Sequence, residues 1–327
     1  MEVRVLRGGM QTTVQDLGRR GHRAAGVPLS GAMDAFALRV ANLLVGNPEN
    51  AAALEFALIG PELEFAADAM IALGGAEFEG LPSWKPVAVR AGERLKVGAC
   101  VRGCRGYLAI TGGIEVEPVL GSRSTYLRGG FGGFAGRALK EGDGLRIKGG
   151  GAALTAGRNA WSIDPRILPA YATGAVRVLR GAHADEFGEE LFTSAFKILP
   201  ESDRMGVRLS GTKLNRTNSE DLLSAAVAPG TVQVPPDGQP LILMADAQTI
   251  GGYPQAAHVI AVDLPLVAQS RPGDVLRFIE VSIEEAHGLA LVRERAIAML
   301  REGLAEKLGF RSPTAAAEVS PGMATLR

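Results

Sequence analysis

Cysteine and histidine are scarce in this 327-residue chain, which has two of the first and four of the second. Two cysteines cannot build a disulfide framework, and the C-x3-C pair Cys100 and Cys104 has no second pair or nearby histidine to complete a zinc tetrahedron. They read as structural thiols of a reducing cytosol. Net charge is lacking too, since 35 Lys plus Arg offset 35 Asp plus Glu, leaving no field to gather nucleic acid or anionic lipid. No apolar run reaches the roughly 18 residues of a membrane span, and the opening MEVRVLRGGM has no apolar core of signal-peptide length. The expected location is the cytoplasm.

Common catalytic signatures are equally missing. There is no G-x-x-x-x-G-K-[ST] phosphate loop, because the cluster Gly129-Gly130-Phe131-Gly132-Gly133 has neither the lysine nor the strand-to-helix setting. No G-x-S-x-G elbow occurs, and none of His22, His183, His258 and His287 stands four residues from another. No methionine precedes a lysine, so the usual biotin-attachment dipeptide is absent and any biotin would arrive on another chain.

What the chain has in excess is glycine, 43 residues or about twice the average share, without a collagen period. Many glycines imply many tight turns and many short strands. Strand-like segments fall at 2–6, 62–65, 70–73, 87–89, 94–97, 107–110 and 145–147, then at 175–179, 196–199, 207–209, 230–234, 241–244, 258–262 and 275–279. A helix is expected over 35–45, where Phe36, Val40, Leu43 and Leu44 share a face, Asp34 caps the start and Gly46-Asn47-Pro48 ends it. A short helix is expected over 185–191. A long one begins at Ser282, with Leu289, Val292, Ala296, Leu300 and Leu304 inward and Arg293, Glu294, Arg301 and Glu302 outward. The Gly- and Ala-rich stretch 149–169 reads as a linker, and residues from 312 on as a loose tail. Each half ends on a Gly-Gly-aromatic turn followed by a Gly-Asp turn and a closing strand, weak evidence of duplication. The expectation is two packed all-β units with a few helices.

Four polar clusters sit among the turns. In 12–21 and 26–34, Gln15, Asp16, Arg19 and Asp34 meet as a site, or Asp16 and Arg19 simply form a turn. The second cluster is the helix end at Asn42, Gly46 and Asn47, followed by Leu54-Glu55, where Asn42 is a helix-to-loop fastener or an amide clamp. In SDRMGVRLSG, residues 202–211, Arg204 and Arg208 beside Asp203 are an internal ion-pair set or a carboxylate receptor on a turn followed by a strand. The densest cluster joins Gln233 to MADAQTIGGYP, residues 244–254. There Asp246, Gln248 and Thr249 enter a loop whose Gly251-Gly252 allows close backbone approach, a set suited to a small planar amide.

At these clusters the sequence resembles the family of the 5-oxoprolinase C subunit, also called allophanate hydrolase subunit 2 or the biotin-dependent carboxyltransferase domain of urea amidolyase. The stretches that carry it are TTVQDLGRRG (12–21), SGAMDAFALRVANLLVGN (30–47), ALEF (53–56), GSRSTYLRGGFGG (121–133), SDRMGVRLSG (202–211), GTVQVPPDGQPLILMADAQTIGGYP (230–254) and LVAQSRPGDVLRF (266–278). Gly211-Thr212 stands where many relatives have Gly-Pro. The resemblance implies two cyclophilin-like β-barrel units, at residues 1–150 and 170–286, with a C-terminal helix and tail over 287–327. It implies two partners, a 5-oxoprolinase B subunit similar to a kinase-inhibitor protein and an A subunit, and joint ATP-dependent opening of 5-oxoproline to glutamate with no cofactor held by this chain. Its alternatives are a carboxyltransferase receiving biotin in trans, or a non-catalytic antagonist of the inhibitor-like partner. With that substrate in view, Asp246 is the expected general base or N–H acceptor and Asn42 and Gln248 its amide partners. Arg19 or Arg208 is the expected carboxylate receptor, with Gln233 and Tyr253 lining the site.

Overall fold

The computed structural model describes residues 1–148, 162–171, 173–218 and 220–308. The tail from 312 and residues 149–161 of the expected linker lie outside them.

In the first half, β1 (Glu2–Arg7), β4 (Glu62–Phe65), β7 (Arg94–Lys96) and β9 (Gly144–Arg146) form one antiparallel sheet in the order β7-β4-β1-β9. A second sheet has the order β2-β3-β8-β5-β6, from β2 (Thr12–Gln15), β3 (Ala53–Ala57), β5 (Ala69–Phe78), β6 (Pro86–Val89) and β8 (Cys100–Ile110). Val3, Val5, Leu63 and Phe65 of the first sheet meet Phe56, Leu73, Leu108 and Ile110 of the second in one core. The second sheet is buried on its other face as well, where Ala72, Tyr107 and Ala109 receive the helix α1 (Ala35–Leu44). Strands covered on both faces lose the alternation that marks a half-exposed strand. That is why TTVQ and ALEFA, fully or almost fully buried, do not read as strands in the sequence.

The second half closes into a seven-stranded barrel. Its strands are β10 (Ala175–Arg180), β11 (Phe196–Ile198), β12 (Gly206–Ser210), β14 (Thr231–Gln233), β15 (Leu241–Leu243), β17 (Gln255–Val259) and β18 (Val275–Glu280), with β18 closing in parallel against β10. Val176, Phe196, Val232, Ile242 and Phe278 fill it. A two-residue ribbon, β13 (Ala225–Ala226) with β16 (Ile250–Gly251), lies outside. The turns Gly142-Asp143 and Gly273-Asp274 enter β9 and β18, both with left-handed glycines as the shared pattern anticipates. The closing pairs nevertheless differ, since β9 runs antiparallel to β1.

Three expectations shift. The strand placed at 258–262 is β17 at Gln255–Val259, because Ile260 to Val262 turn into the unforeseen helix α3 (Leu264–Gln269). The helix placed at 185–191 is broken at Gly188 into a 3-10 turn, Ala184–Glu186, and a single turn α2 (Glu190–Thr193). The final helix α4 (Ile283–Leu308) begins with a reciprocal cap in which Glu285 N–H donates to Ser282 Oγ at 3.1 Å and Ser282 N–H to Glu285 Oε2 at 2.9 Å. Its rotation keeps Leu289, Ala296, Leu300 and Leu304 inward and Glu294, Arg301 and Glu302 exposed as expected, and departs at one pair: Val292 is 63% exposed, whereas Arg293 turns in over the Phe36 ring. The bidentate pair between Arg39 of α1 and Glu294, at 2.6 and 2.7 Å, sets that rotation, and Ile297 and Leu304 take the buried face.

Helix α1 packs unusually close to β5. A Cβ added to Gly74 would stand 2.5 Å from the Ala37 carbonyl oxygen and 3.3 Å from Ala41 Cβ, so only glycine admits the helix at this height. The capping residue Asp34 does more than start α1. Its Oδ1 accepts from Ala37 N–H at 2.9 Å, and its Oδ2 accepts from Tyr171 Oη–H and from Gln269 Nε2–H, each at 2.9 Å. Gln269, at the end of α3, also accepts from the Cys104 and Arg105 N–H groups and donates to the Arg105 carbonyl, so one amide stitches the barrel to β8. Burial pushes Asp34 up to about 6, against the hydrogen bonds that favour its charged form.

This packing is testable at two positions. Gly74→Ala is expected to lower unfolding free energy by about 1–3 kcal/mol in denaturant titration, as overpacking against backbone does. For Asp34, the folded value near 6 exceeds the ordinary 3.8, so the folded chain holds the extra proton between them. Stability from this group is therefore complete below the unfolded value and is lost as pH rises through about 6. Asp34→Asn, which still caps the helix, is expected to gain on the parent by about 1–3 kcal/mol between roughly pH 4 and 7 in paired urea titrations. Parallel pH profiles would contradict the assignment.

Candidate functional site

The junction between the halves is where buried charge concentrates. Arg204 sits within a turn in which Asp203 Oδ1 accepts from Met205 N–H at 2.7 Å, and its side chain is buried just ahead of β12. Its guanidinium donates to Asp246 through Nε at 2.9 Å and Nη2 at 3.1 Å, to Glu55 Oε1 through Nη1, and to the Gly31 carbonyl at 2.6 Å. Glu55, on β3, also accepts at Oε2 from Tyr107 Oη–H at 2.8 Å and from Met33 N–H at 2.9 Å. Tyr107 Oη in turn accepts from Asp34 N–H at 2.8 Å. The side chains of this set are buried. Burial alone would depress the Arg204 guanidinium, but Glu55 and Asp246 reverse the sign and hold it above the ordinary arginine range. Burial, with Glu55 and Asp34 adding to it, drives the Tyr107 hydroxyl well up, so it stays a neutral donor.

Beside this joint lies Arg19, entirely buried. Nη2 donates to the Ser124 carbonyl and the guanidinium covers the Phe131 ring at 4.9 Å, while Nε and Nη1 have no partner. Burial lowers its affinity for the proton, with Asp16 and Asp246 opposing. Asp16 is committed elsewhere: its carboxylate accepts from Gly18 N–H at 2.8 Å, Arg123 N–H at 2.6 Å, Ser122 Oγ–H at 2.6 Å and Ser124 Oγ–H. It fastens the 122–124 loop to β2.

The residues anticipated as one site occupy three places. Asp246 belongs to the Arg204 joint, with both oxygens on the guanidinium, and Arg19 stands near it. Asn42 is apart, at the end of α1; Nδ2 donates to the Ala51 carbonyl at 2.8 Å and Oδ1 accepts from Asn47 Nδ2 at 3.1 Å, the geometry of the fastener. On the outer barrel face, Arg208, Leu241 and Gln233 share a row across β12, β15 and β14. There Gln233 is buried beneath the ribbon, donates to the Tyr253 carbonyl at 3.3 Å and leaves Oε1 unpaired, while Arg208, Gln248 and Tyr253 are exposed. The grouping of Gln15, Asp16, Arg19 and Asp34 also divides, because Asp34 turns to Tyr171 and Gln269.

Tyr107 and Gln269 were not among the anticipated site residues, and Glu55, named beside Asn42, was given no role of its own. Glu55 carried a usable signal, a carboxylate inside the apolar run ALEF, since a charge there must meet a buried partner. Among the described residues no group of three or more His, Cys, Asp or Glu is placed to hold a metal ion, and no helix is long and apolar enough to cross a membrane.

Comparison with known proteins matches this architecture closely. The chain is 42% identical over 295 residues to the 5-oxoprolinase C subunit of Escherichia coli (strain K12), covering 87% of this chain and 93% of that one. It is 39% identical over 307 residues to the 5-oxoprolinase C subunit of Haemophilus influenzae, covering 91% and 97%. The crystal structure of the K. lactis urea amidolyase superposes with a TM-score of 0.85 at 32% identity, covering 91% of this chain and 20% of that larger protein. A family model for the carboxyltransferase domain, subdomain A and B, spans residues 25–280, taking in most of the first half, the barrel and their buried joint, and the chain belongs to that family.

Proposed function

We propose that this chain is the C subunit of an ATP-dependent 5-oxoprolinase, opening 5-oxo-L-proline to L-glutamate together with the A and B subunits. The observation that carries the reading is near full-length similarity to two proteins of that name, against a match to only a fifth of the urea amidolyase. In this reading the units at residues 1–150 and 170–286, with 287–327 appended, work as one body across the Arg204 joint. The protein acts in the cytoplasm.

The chemistry favours shared labour. Resonance makes a lactam poorly electrophilic, so ring opening needs activation of its carbonyl before water adds at carbon and the C–N bond breaks to give carboxylate and amine. In the proposed complex ATP, spent on a partner chain, supplies that activation, and this chain holds and orients the ring. Asp246 serves as a positioning residue, because both of its carboxylate oxygens are taken up by the Arg204 guanidinium. Arg19, buried without an ion pair, is the group of the anticipated set best suited to an anion, and it reaches one only if the 122–133 loop yields. The second reading, carboxyl transfer from biotin carried in trans, rests on the 32% identity to the urea amidolyase and ranks below the first.

The deciding assay is glutamate release from 5-oxoproline and ATP by this chain alone, by the A and B subunits without it, and by the mixture. Only the mixture is expected to turn over. Undiminished turnover without this chain, or robust turnover by this chain alone, would remove the reading.

A further inference from the structure

Residues 126–136 form a loop of the Ω type, whose two ends return to one strand. Thr125 N–H donates to the Val14 carbonyl at 2.9 Å and Leu139 N–H to the Thr12 carbonyl at 2.8 Å, so both attachments fall on β2. Between Tyr126 and Gly136 the backbone hydrogen bonds are the loop's own: Tyr126 N–H donates to the Phe131 carbonyl, Gly130 N–H to the Tyr126 carbonyl and Gly136 N–H to the Gly132 carbonyl. The Phe131 ring meets the Tyr126 ring edge-on at 5.5 Å. Phe134 seats the returning arm on the first-half core. The tip, 126–133, has left-handed glycines at 130, 132 and 133, and among the described residues its one polar contact with the barrel is Arg128 Nη1 on Met205 Sδ at 4.0 Å.

What this tip covers is Arg19. The Phe131 ring lies 4.9 Å from the guanidinium carbon, and a Cβ added to Gly132 would stand 2.7 Å from Nη2, so the loop backbone rests directly on the cation. Nη2 donates to the Ser124 carbonyl, while Nε and Nη1 are buried and donate to nothing. The carboxylates near it are engaged elsewhere, Asp16 by Ser122 and Arg123 and Asp246 by Arg204. A buried cation with undonated N–H groups is costly, and an aromatic face offsets only part of that cost. The closed tip therefore sits on a group that stays unsatisfied until an acceptor reaches it.

The charge of the tip has the same sign. Its sequence, YLRGGFGG, holds no acid and one charge, Arg128, which is exposed and makes no ion pair among the described residues. Seat and cover are both cationic, so the acceptor they fit is an anion. A planar guanidinium fork matches a carboxylate in particular.

We propose that the tip 126–133 is a lid over an anion subsite, lifting Phe131 from Arg19 so that the carboxylate of a small acid takes donations from Nε and Nη1, with Arg128 at the mouth drawing the acid in. The identity of that acid as 5-oxoproline rests on the function proposed above. Closure over the bound acid then excludes water from the cation and its partner.

Hydrogen exchange and titration calorimetry on the assembled complex test lid and subsite together, with two probes: 5-oxoproline and 2-pyrrolidone, the same lactam without its carboxylate. Saturating 5-oxoproline is expected to slow exchange of the 126–133 amides about tenfold, and 2-pyrrolidone to leave it unchanged. Arg19→Met is expected to weaken 5-oxoproline at least about tenfold, to leave 2-pyrrolidone unaffected, and to melt at or above the parent temperature, because it removes an undonated buried cation. A lowered melting temperature would make Arg19 a structural group and overturn the subsite. Phe131→Ala, which leaves the cation in place, is expected to speed ligand-free exchange of 126–133 about tenfold; unchanged exchange would overturn the lid. If folded Arg19→Met turns over 5-oxoproline with the parent KM, the subsite falls although the function stands. If the parent complex does not turn over 5-oxoproline yet binds it in an Arg19-dependent way, the function falls and the lid and subsite stand.

Discussion

Arg204 is the group on which the two halves depend. Its guanidinium crosses from the barrel to the sheet of the first half, where it meets Glu55 and the Gly31 carbonyl, and it holds Asp246 of its own half. An isolated guanidinium buried this deeply would be prohibitively costly, and two carboxylates with a full set of hydrogen bonds make it tolerable. Such a joint fixes register more than it adds stability, because each member is harmful without the others. Tyr107, Asp34 and Gln269 extend it into one polar seam from β3 to α3.

The seam explains the distribution of chemistry. Groups that look reactive in sequence, Asp246 above all, are consumed in holding the halves together, while the buried side-chain atoms left unpaired among the described residues include Arg19 Nε and Nη1 in the loop cluster, Gln233 Oε1 beneath the ribbon and Ser30 Oγ.

Much of the fold was legible because half-buried elements announce their period. Helix α1, its Asp34 cap and its Gly46-Asn47 stop stand where the pattern puts them, and most strands fall within a residue or two. What escaped was buried on both faces, as with β2 and β3, or too short for a period, as with α3. The site was legible by residue type rather than by arrangement. Arg204 stands out in sequence as one of an internal ion-pair set beside Asp203, yet its partners lie 149 and 42 residues away, and Asp203 only shapes the turn. Pairings of that range are set by topology, which local spacing does not encode. Ser30 gave no signal, since an unpaired hydroxyl exists only once the chain has closed around it.

The most direct test of the Arg204 joint is the unfolding free energy of two variants, Arg204→Met and the same change combined with Glu55→Gln and Asp246→Asn. Removing the cation alone strands two buried carboxylates and is expected to cost about 3–5 kcal/mol, whereas neutralising all three is expected to recover most of it. A single variant within about 1 kcal/mol of the parent would place Arg204 among ordinary surface pairs and contradict the account.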